Sequence, residues 1–210
     1  MKFHDLHNWH RGSDCVVVAS GPSADPGVYT TPEDQEECYV FPMAADYAER
    51  WTLGTNRAAT FCHPDYAIAI DPYDDPVWAE MQPYTAPVYF TGRDPATCPA
   101  PRAIQIGNFA EAEELQLRRD GHMLLHVPVQ SIAQCPFFAL SVAAYLGFET
   151  IGVIGVDLSE DRWPDVTRIN ETYALMVETC KKQGSRVINL SPESRCTGIP
   201  AGKWEEVRGK

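Results

Sequence analysis

Runs of consecutive apolar residues alternate with amphipathic stretches along the chain, and the apolar runs mark the strands. Residues 15–19 (Cys-Val-Val-Val-Ala) and 150–156 (Thr-Ile-Gly-Val-Ile-Gly-Val) have no polar alternation. A strand of this kind buries both of its faces, as the central strands of parallel sheets do. We therefore predict that these two runs form central, parallel strands of one sheet.

The rest of the pattern predicts a doubly wound α/β fold. Shorter apolar runs predict strands at 51–55, 66–70, 87–90, 103–106, 124–127 and 186–190. Helices are predicted at 76–82, 134–146 and 170–183, with Pro136 in a first turn and Gly147 and Gly184 as C-terminal caps. Strands separated by helices indicate a doubly wound, mostly parallel sheet.

The length of 210 residues fits a single domain spanning 1–210. Within it we expect a polar N-terminal tail at 1–13 and a loop or helical excursion at 24–50. The polar stretch 159–168, which follows a predicted central strand, is expected to form a lid, with Tyr173 as a further lid residue.

Composition excludes several classes of protein. The formal net charge of −12, without a run of Lys or Arg, argues against a dedicated nucleic-acid-binding patch. No apolar stretch is long enough for a membrane span, and the first residues lack the pattern of a signal peptide. The seven cysteines form no CxxC pair, so we expect no zinc site, no disulfide framework and a cytoplasmic location. A homo-oligomer is compatible with this composition.

Polar residues follow the predicted strands, where doubly wound sheets bind their ligands. Ser20, Gly21, Pro22 and Ser23 follow the first strand. Glycine allows a ligand to approach the backbone closely, and the Ser23 hydroxyl can donate or accept a hydrogen bond. A tight turn that merely closes the strand explains the same residues equally well.

The next strand ends carry an amide and two carboxylates. Asn56 and Arg57 follow the second strand, Asp71 follows the third, and Asp157 follows the run 150–156. An amide can pair with a base or a ribose, and a carboxylate can bind ribose hydroxyls, hold a metal or act as a base. The alternatives are a helix cap for Asn56 and a turn before proline for Asp71.

Two further groups of residues could bind a phosphate or a cation. Ser131 lies just before the predicted helix 134–146 and Gln134 begins it; the free N–H groups and dipole of this helix favour an anion, although capping alone explains both residues nearly as well. Asp74 and Asp75 lie close to Asp71 in sequence and would suit Mg²⁺, whereas a solvated acidic turn is the simpler interpretation.

These motifs, in this order, resemble a known superfamily. The pattern is Val-Val-Val-Ala-Ser-Gly-Pro-Ser at 16–23, Thr-Asn-Arg-Ala at 55–58, Pro-Asp-Tyr-Ala-Ile-Ala-Ile-Asp-Pro at 64–72, the helix at 139–147, Ile-Gly-Val-Ile-Gly-Val-Asp at 151–157 and Val-Ile-Asn-Leu-Ser-Pro-Glu-Ser at 187–194. It is similar to the Rossmann-like proteins that include 6-hydroxymethylpterin diphosphokinases and bacterial lipooligosaccharide sialyltransferases, with phage-encoded relatives. The similarity covers most of the chain except 1–11 and 24–50.

The resemblance implies a transferase that takes a nucleotide-sugar donor and an unknown hydroxyl acceptor. By analogy with the sialyltransferase branch, the donor contacts fall on Gly21, Pro22, Ser23, Asn56, Asp71 and Ser131. Sialyltransferases use a late histidine as base, but no histidine follows His126 here. The first candidate for the base is therefore Asp157 and the second is Asp71.

Two alternatives remain open at this stage. One is a 6-hydroxymethylpterin diphosphokinase-like enzyme that uses ATP, which would require Mg²⁺ on Asp71, Asp74 or Asp157. The other is a nucleotide-binding module without turnover. Fold alone does not distinguish these functions.

Overall fold

Seven parallel strands form the main sheet of this computed structural model. The structure describes residues 3–21, 23–24, 47–69, 74–81, 86–91, 94, 96–100, 102–106, 114–119, 122–128, 135–158, 165–191 and 194–210. The strands of the main sheet are β1 (Cys15–Val18), β2 (Trp51–Thr55), β3 (Tyr66–Ile68), β4 (Val88–Thr91), β5 (Ala103–Gln105), β8 (Thr150–Ile154) and β9 (Arg186–Asn189). Their spatial order is β5-β4-β3-β2-β1-β8-β9.

The two unbroken apolar runs are internal strands, as predicted. β1 pairs in parallel with β2 on one side and with β8 on the other, and β8 also pairs with β9. Every residue of β1 and β8 is buried. The fold is thus a Rossmann-like, doubly wound α/β fold. Its topological switch lies between β1 and β8, because the chain leaves β1 towards β2 and leaves β8 towards β9.

Helices cover both faces of the sheet. They are α1 (Ala59–Cys62), α2 (Pro76–Met81), α3 (Cys135–Leu146) and α4 (Val166–Lys182). On one face α3 and α4 pack with Val17, Val153 and other inward residues. On the opposite face Val16, Val18 and Ile154 pack with Ala58 and Cys62. Successive residues of β1 therefore enter different cores, which explains why the strand has no polar alternation.

The helix α3 is apolar on all sides because it is enclosed. All of its residues except Pro136 are buried, and it contacts β1, β2 and α4. It ends at Gly147, whose φ of 90° suits a C-terminal cap, as predicted. No helix in the described part of the chain is long and apolar enough to cross a membrane.

The helix α4 begins four residues before its predicted start. The Asp165 carboxylate accepts a hydrogen bond from the Arg168 N–H at 3.0 Å and so caps the helix. Residues 165–168 of the expected lid therefore form the cap and first turn, and 159–164 lie outside the described residues. The prediction that Tyr173 is a lid residue is wrong, because its side chain is 0% exposed and packs against Phe137.

Two other segments differ from expectation. The run 124–127 belongs to β7 (His122–Pro128), which pairs antiparallel with β6 (Glu114–Arg119) in a separate two-stranded sheet. The N-terminal segment, expected to be a tail, forms a 3-10 helix at Phe3–Leu6 and packs onto the fold. Phe3 stacks on Tyr145 with 4.4 Å between ring centroids, and Leu6 is buried. Most of the excursion 24–50 lies outside the described residues.

Candidate functional site

The turns that follow β1 and β8 meet at the topological switch, where doubly wound sheets bind ligands. The Ala19 N–H donates to the Ile154 carbonyl at 2.8 Å, and the Gly21 N–H donates to the Gly155 carbonyl at 2.9 Å. The parallel pairing of the strands thus continues into their turns. The candidate site is the place where these turns and the neighbouring end of β2 come together, and we call it the crevice after the position at which doubly wound sheets bind their ligands.

Two glycines allow the turns to come this close. A Cβ atom on Gly21 would lie 2.3 Å from the Gly155 carbonyl oxygen and 2.4 Å from Asp157 Oδ2. Gly155 has a φ of 82°, and its Cβ would lie 2.3 Å from the Ala19 carbonyl oxygen. Both positions therefore require glycine, one for space and the other for space and backbone conformation.

The Asp157 carboxylate closes the turn after β1. Its Oδ2 accepts the Ser23 backbone N–H at 2.9 Å, and its Oδ1 accepts the Ser23 hydroxyl at 2.6 Å. Ser23 is 4% exposed, whereas Asp157 is only partly buried. The structure thus brings together Gly21, Ser23 and Asp157, which the sequence placed at two separate strand ends.

Ser191 joins this cluster from the end of β9. Its Oγ lies 2.6 Å from Ser23 Oγ, and the Gly155 N–H donates to Ser23 Oγ at 3.0 Å. Since the Ser23 proton is donated to Asp157, the Ser191 hydroxyl is the donor to Ser23. We call Ser23, Asp157 and Ser191 the switch cluster. Ser191 was missed as a site residue, although the strand-end rule that selected Asp157 applies equally to the residues after β9.

The charge of Asp157 also affects a neighbouring thiol. Burial raises the pKa of Cys196 to about 12, backbone hydrogen bonds oppose this, and the negative charge of Asp157 adds to the rise. Cys196 is therefore a neutral thiol near neutral pH. None of the six cysteines in the described part of the chain forms a disulfide bond.

Asn56 lies at the end of β2 and contacts the start of α3. Its Oδ1 accepts a hydrogen bond from Cys135 Sγ at 3.0 Å. Asn56 is the first residue of a 3-10 helix (Asn56–Ala58) whose N-cap position is Thr55, so the Asn56 side chain does not serve as its cap. Cys135 was not singled out from the sequence. The adjoining Arg57 is exposed, and Ser20 is half-buried.

Non-glycine residues with positive φ follow two of the strands that line the crevice. Asn56 has a φ of 47° and Leu158, directly after Asp157, has a φ of 51°. The left-handed region costs a leucine roughly 1 kcal/mol or more. Such strained positions often occur at functional sites. The other two such residues in the described part of the chain, Asn8 and His63, lie outside the crevice.

Several predicted site residues lie outside the described part of the chain: Pro22, Asp71, Ser131 and Gln134. The predicted proximity of Ser23 to Ser131 therefore stays a prediction. Asp74 is exposed and Asp75 is half-buried, just before α2. Within the described residues, no three His, Cys, Asp or Glu side chains are close enough together to hold a metal ion.

No known family model, no curated protein sequence and no solved structure matches the chain significantly. The fold and the crevice thus define a Rossmann-like α/β protein with a candidate ligand site at its topological switch.

Proposed function

We propose that this chain is a glycosyltransferase that binds a nucleotide-sugar donor in the crevice and transfers the sugar to a hydroxyl acceptor. The observation that carries the proposal is the oriented Asp157 carboxylate at the switch between β1 and β8. Ser23 holds both carboxylate oxygens, at 2.9 and 2.6 Å. A general base needs such a fixed position relative to the hydroxyl that it deprotonates.

Asp157 retains the capacity for this role. An ionised carboxylate has about four lone-pair sites, and Ser23 uses two of them. Asp157 is partly buried, while Ser23 and Ser191 behind it are almost completely buried. The remaining lone pairs would accept the proton of the acceptor hydroxyl as the nucleotide leaves. Asp71 is retained as the second candidate for the base.

The charge of the chain favours a donor with few phosphates. The net charge is −12, and Arg57 is the basic residue among the motifs assigned to the crevice. A triphosphate would require more positive charge, normally supplied by Mg²⁺ with a lysine or arginine. One or two phosphates can instead be held by helix N–H groups and hydroxyls.

Binding is tested by thermal denaturation of the wild type with a panel of nucleotide sugars and with ATP and Mg²⁺, each with and without EDTA. A ligand present at one hundred times its dissociation constant adds about 2.7 kcal/mol of stability. We expect stabilisation by at least one nucleotide sugar that persists in EDTA. Stabilisation by ATP alone, abolished by EDTA, would contradict the proposal and favour the diphosphokinase.

Turnover is tested by nucleotide release from the donor that binds. Removal of a general base lowers the rate by roughly 10²-fold or more. We expect this loss for Asp157→Asn with donor binding retained. The matched control is Glu178→Gln, which changes an exposed carboxylate on α4 and should leave the rate unchanged. An equal rate in Asp157→Asn and Glu178→Gln would exclude Asp157 as the base.

A further inference from the structure

The Gly21–Ser23 segment of the turn after β1 has the form of an anion site, but its donors are already occupied. The Gly21 N–H donates to the Gly155 carbonyl at 2.9 Å, and the Ala24 N–H donates to the Gly21 carbonyl at 3.0 Å. Proline at position 22 has no N–H. The remaining donors, the N–H and hydroxyl of Ser23, both bind Asp157.

The carboxylate occupies the place that a ligand's phosphate would need. Two oxygens of one anion accept two adjacent donors from one residue, which is how short turns bind carboxylates and phosphates. A phosphate could reach these donors only by displacing Asp157. If Asp157 stayed in place, two negative charges would be in contact in a partly buried crevice, and their repulsion would lower affinity more than tenfold.

We infer that Asp157 is the built-in occupant of the anion site in the Gly21–Ser23 turn, and that the turn therefore does not hold the phosphate of the donor. This inference rests on the proposed function in so far as it concerns a nucleotide ligand. The part of the bound ligand or acceptor that contacts Asp157 is uncharged or cationic, and the phosphate of the donor lies elsewhere in the crevice.

The switch cluster is consistent with a permanent rather than an exchangeable occupant. Ser191 donates to Ser23 Oγ, and Gly155 donates to the same atom, so Ser23 Oγ accepts two hydrogen bonds and donates one to Asp157. The Arg195 N–H also donates to the Asp157 backbone carbonyl at 3.2 Å. The two bonds from Ser23 hold the side chain of Asp157 against the turn, and the bond from Arg195 joins the main chain of Asp157 to the segment that follows β9.

The first experiment restores the anion chemically. Asp157→Gly removes the methylene and carboxylate of Asp157, and acetate has the matching size. We expect 100 mM acetate to raise the denaturation midpoint of Asp157→Gly by about 3 °C relative to chloride at equal ionic strength. The control is Ser191→Ala, which retains the carboxylate and should show no difference between acetate and chloride. A folded Asp157→Gly without an acetate effect would overturn the inference.

The second experiment measures whether the side chain at position 157 changes the affinity that a ligand gains from its phosphate. The affinities of cytidine, uridine, adenosine and guanosine are compared with those of their 5′-monophosphates, in the wild type and in Asp157→Asn. If the phosphate lies away from the turn, the gain in affinity due to the phosphate is the same in both proteins within about twofold. A gain at least tenfold larger in Asp157→Asn would place the phosphate against residue 157 and overturn the inference.

The two experiments separate this inference from the proposed function. If the wild type binds no nucleoside, no nucleotide and no nucleotide sugar, the proposed function fails, while acetate binding to Asp157→Gly still decides whether the turn is an anion site. If nucleotides bind but the phosphate adds at least tenfold more affinity in Asp157→Asn than in the wild type, the inference fails and the proposed function stands.

Discussion

Arg208 holds the carboxylate of Asp14 with three donors. Its backbone N–H, its Nε and its Nη2 each donate to an Asp14 oxygen at 2.9 Å, and the Thr150 N–H donates to Oδ1 at 3.1 Å. Asp14 precedes β1 and Thr150 begins β8, so the C-terminal segment is fastened to the amino ends of the two strands that form the switch. Burial alone would raise the pKa of Asp14, but the hydrogen bonds from Arg208 and Thr150 outweigh it and leave that pKa below its ordinary value of 3.8.

Removal of the Asp14 carboxylate should destabilise the fold. The residue is 2% exposed, and charge-assisted hydrogen bonds each contribute roughly 1.5–3 kcal/mol. Because Arg208 is partly exposed and can be solvated, we expect Asp14→Ala to lower the free energy of unfolding by about 2–4 kcal/mol at pH 7. Urea denaturation measures this change.

The matched control is Glu149→Gln, which removes the outer partner of Arg208. This ion pair has a distance of 3.1 Å, and both of its side chains are more than half exposed. Exposed pairs of this kind contribute less than about 1 kcal/mol. Equal losses of stability in Asp14→Ala and Glu149→Gln would show that the buried Asp14 carboxylate contributes no more to the free energy of unfolding than the exposed Glu149 carboxylate does.

A methyl group at Gly155 should be far more costly than one at Gly184. Both glycines have positive φ, 82° and 91°, so alanine is strained at each by about 1 kcal/mol. A Cβ at Gly155 also lies 2.3 Å from the Ala19 carbonyl oxygen, whereas a Cβ at Gly184 meets nothing within 4 Å. We expect Gly155→Ala to lose at least about 2 kcal/mol more than Gly184→Ala in urea denaturation. Similar losses would mean that the two turns can separate without cost.

The strands of the switch could be predicted because their signal is local. Residues 15–19 and 150–156 are apolar at every position or nearly so, and a strand buried on both faces requires this pattern. The same strands then place Gly21, Ser23 and Asp157 at the crevice through the general rule for doubly wound sheets. The sequence therefore predicted the location of the candidate site.

The partner of each site residue could not be predicted in this way. Ser23 and Asp157 are 134 residues apart, and their hydrogen bonds form only because the two turns meet. The N-terminal segment shows the same limit. It was expected to be a polar tail, but His10 and Leu6 are buried against elements that lie far away in sequence. The strand β6, Glu114–Arg119, was missed although Glu-Leu-Gln-Leu at 114–117 alternates polar and apolar residues, and its pairing with β7 identifies it.

Stability should fall as the pH drops below about 6.5 because His10 is buried as a neutral imidazole. Its ring stacks on Phe148 with 4.5 Å between centroids, and Nε2 lies 2.6 Å from the Tyr66 hydroxyl. Burial lowers the pKa of His10 from 6.5, and the negative charge of Asp65 partly opposes this. The unfolded chain therefore binds the proton more tightly, so the stabilisation is complete above pH 6.5 and is lost as the pH falls through the folded pKa.

Urea denaturation at pH 7.5 and 5.5 tests this dependence. We expect His10→Phe to lose less stability than the wild type between these two pH values, whatever its stability at pH 7.5. His63→Gln is the matched control, because His63 is exposed, and it should retain the dependence of the wild type. If His10→Phe and the wild type respond equally to pH, another group is responsible for the dependence.

Two substitutions of Asn56 should separate its backbone role from its side-chain role. Its φ of 47° suits glycine and asparagine but strains alanine, so Asn56→Gly should be more stable than Asn56→Ala by about 1 kcal/mol.

Both variants lack the amide of Asn56. If that amide contacts the donor, as the resemblance implies, both should bind the nucleotide sugar more weakly by the same factor, roughly tenfold for one lost hydrogen bond. Cys135→Ser retains a donor for Asn56 Oδ1 and should bind like the wild type. Calorimetric titration of the three variants decides the point: weaker binding in Asn56→Ala alone would attribute the effect to backbone strain and remove Asn56 from the list of donor contacts.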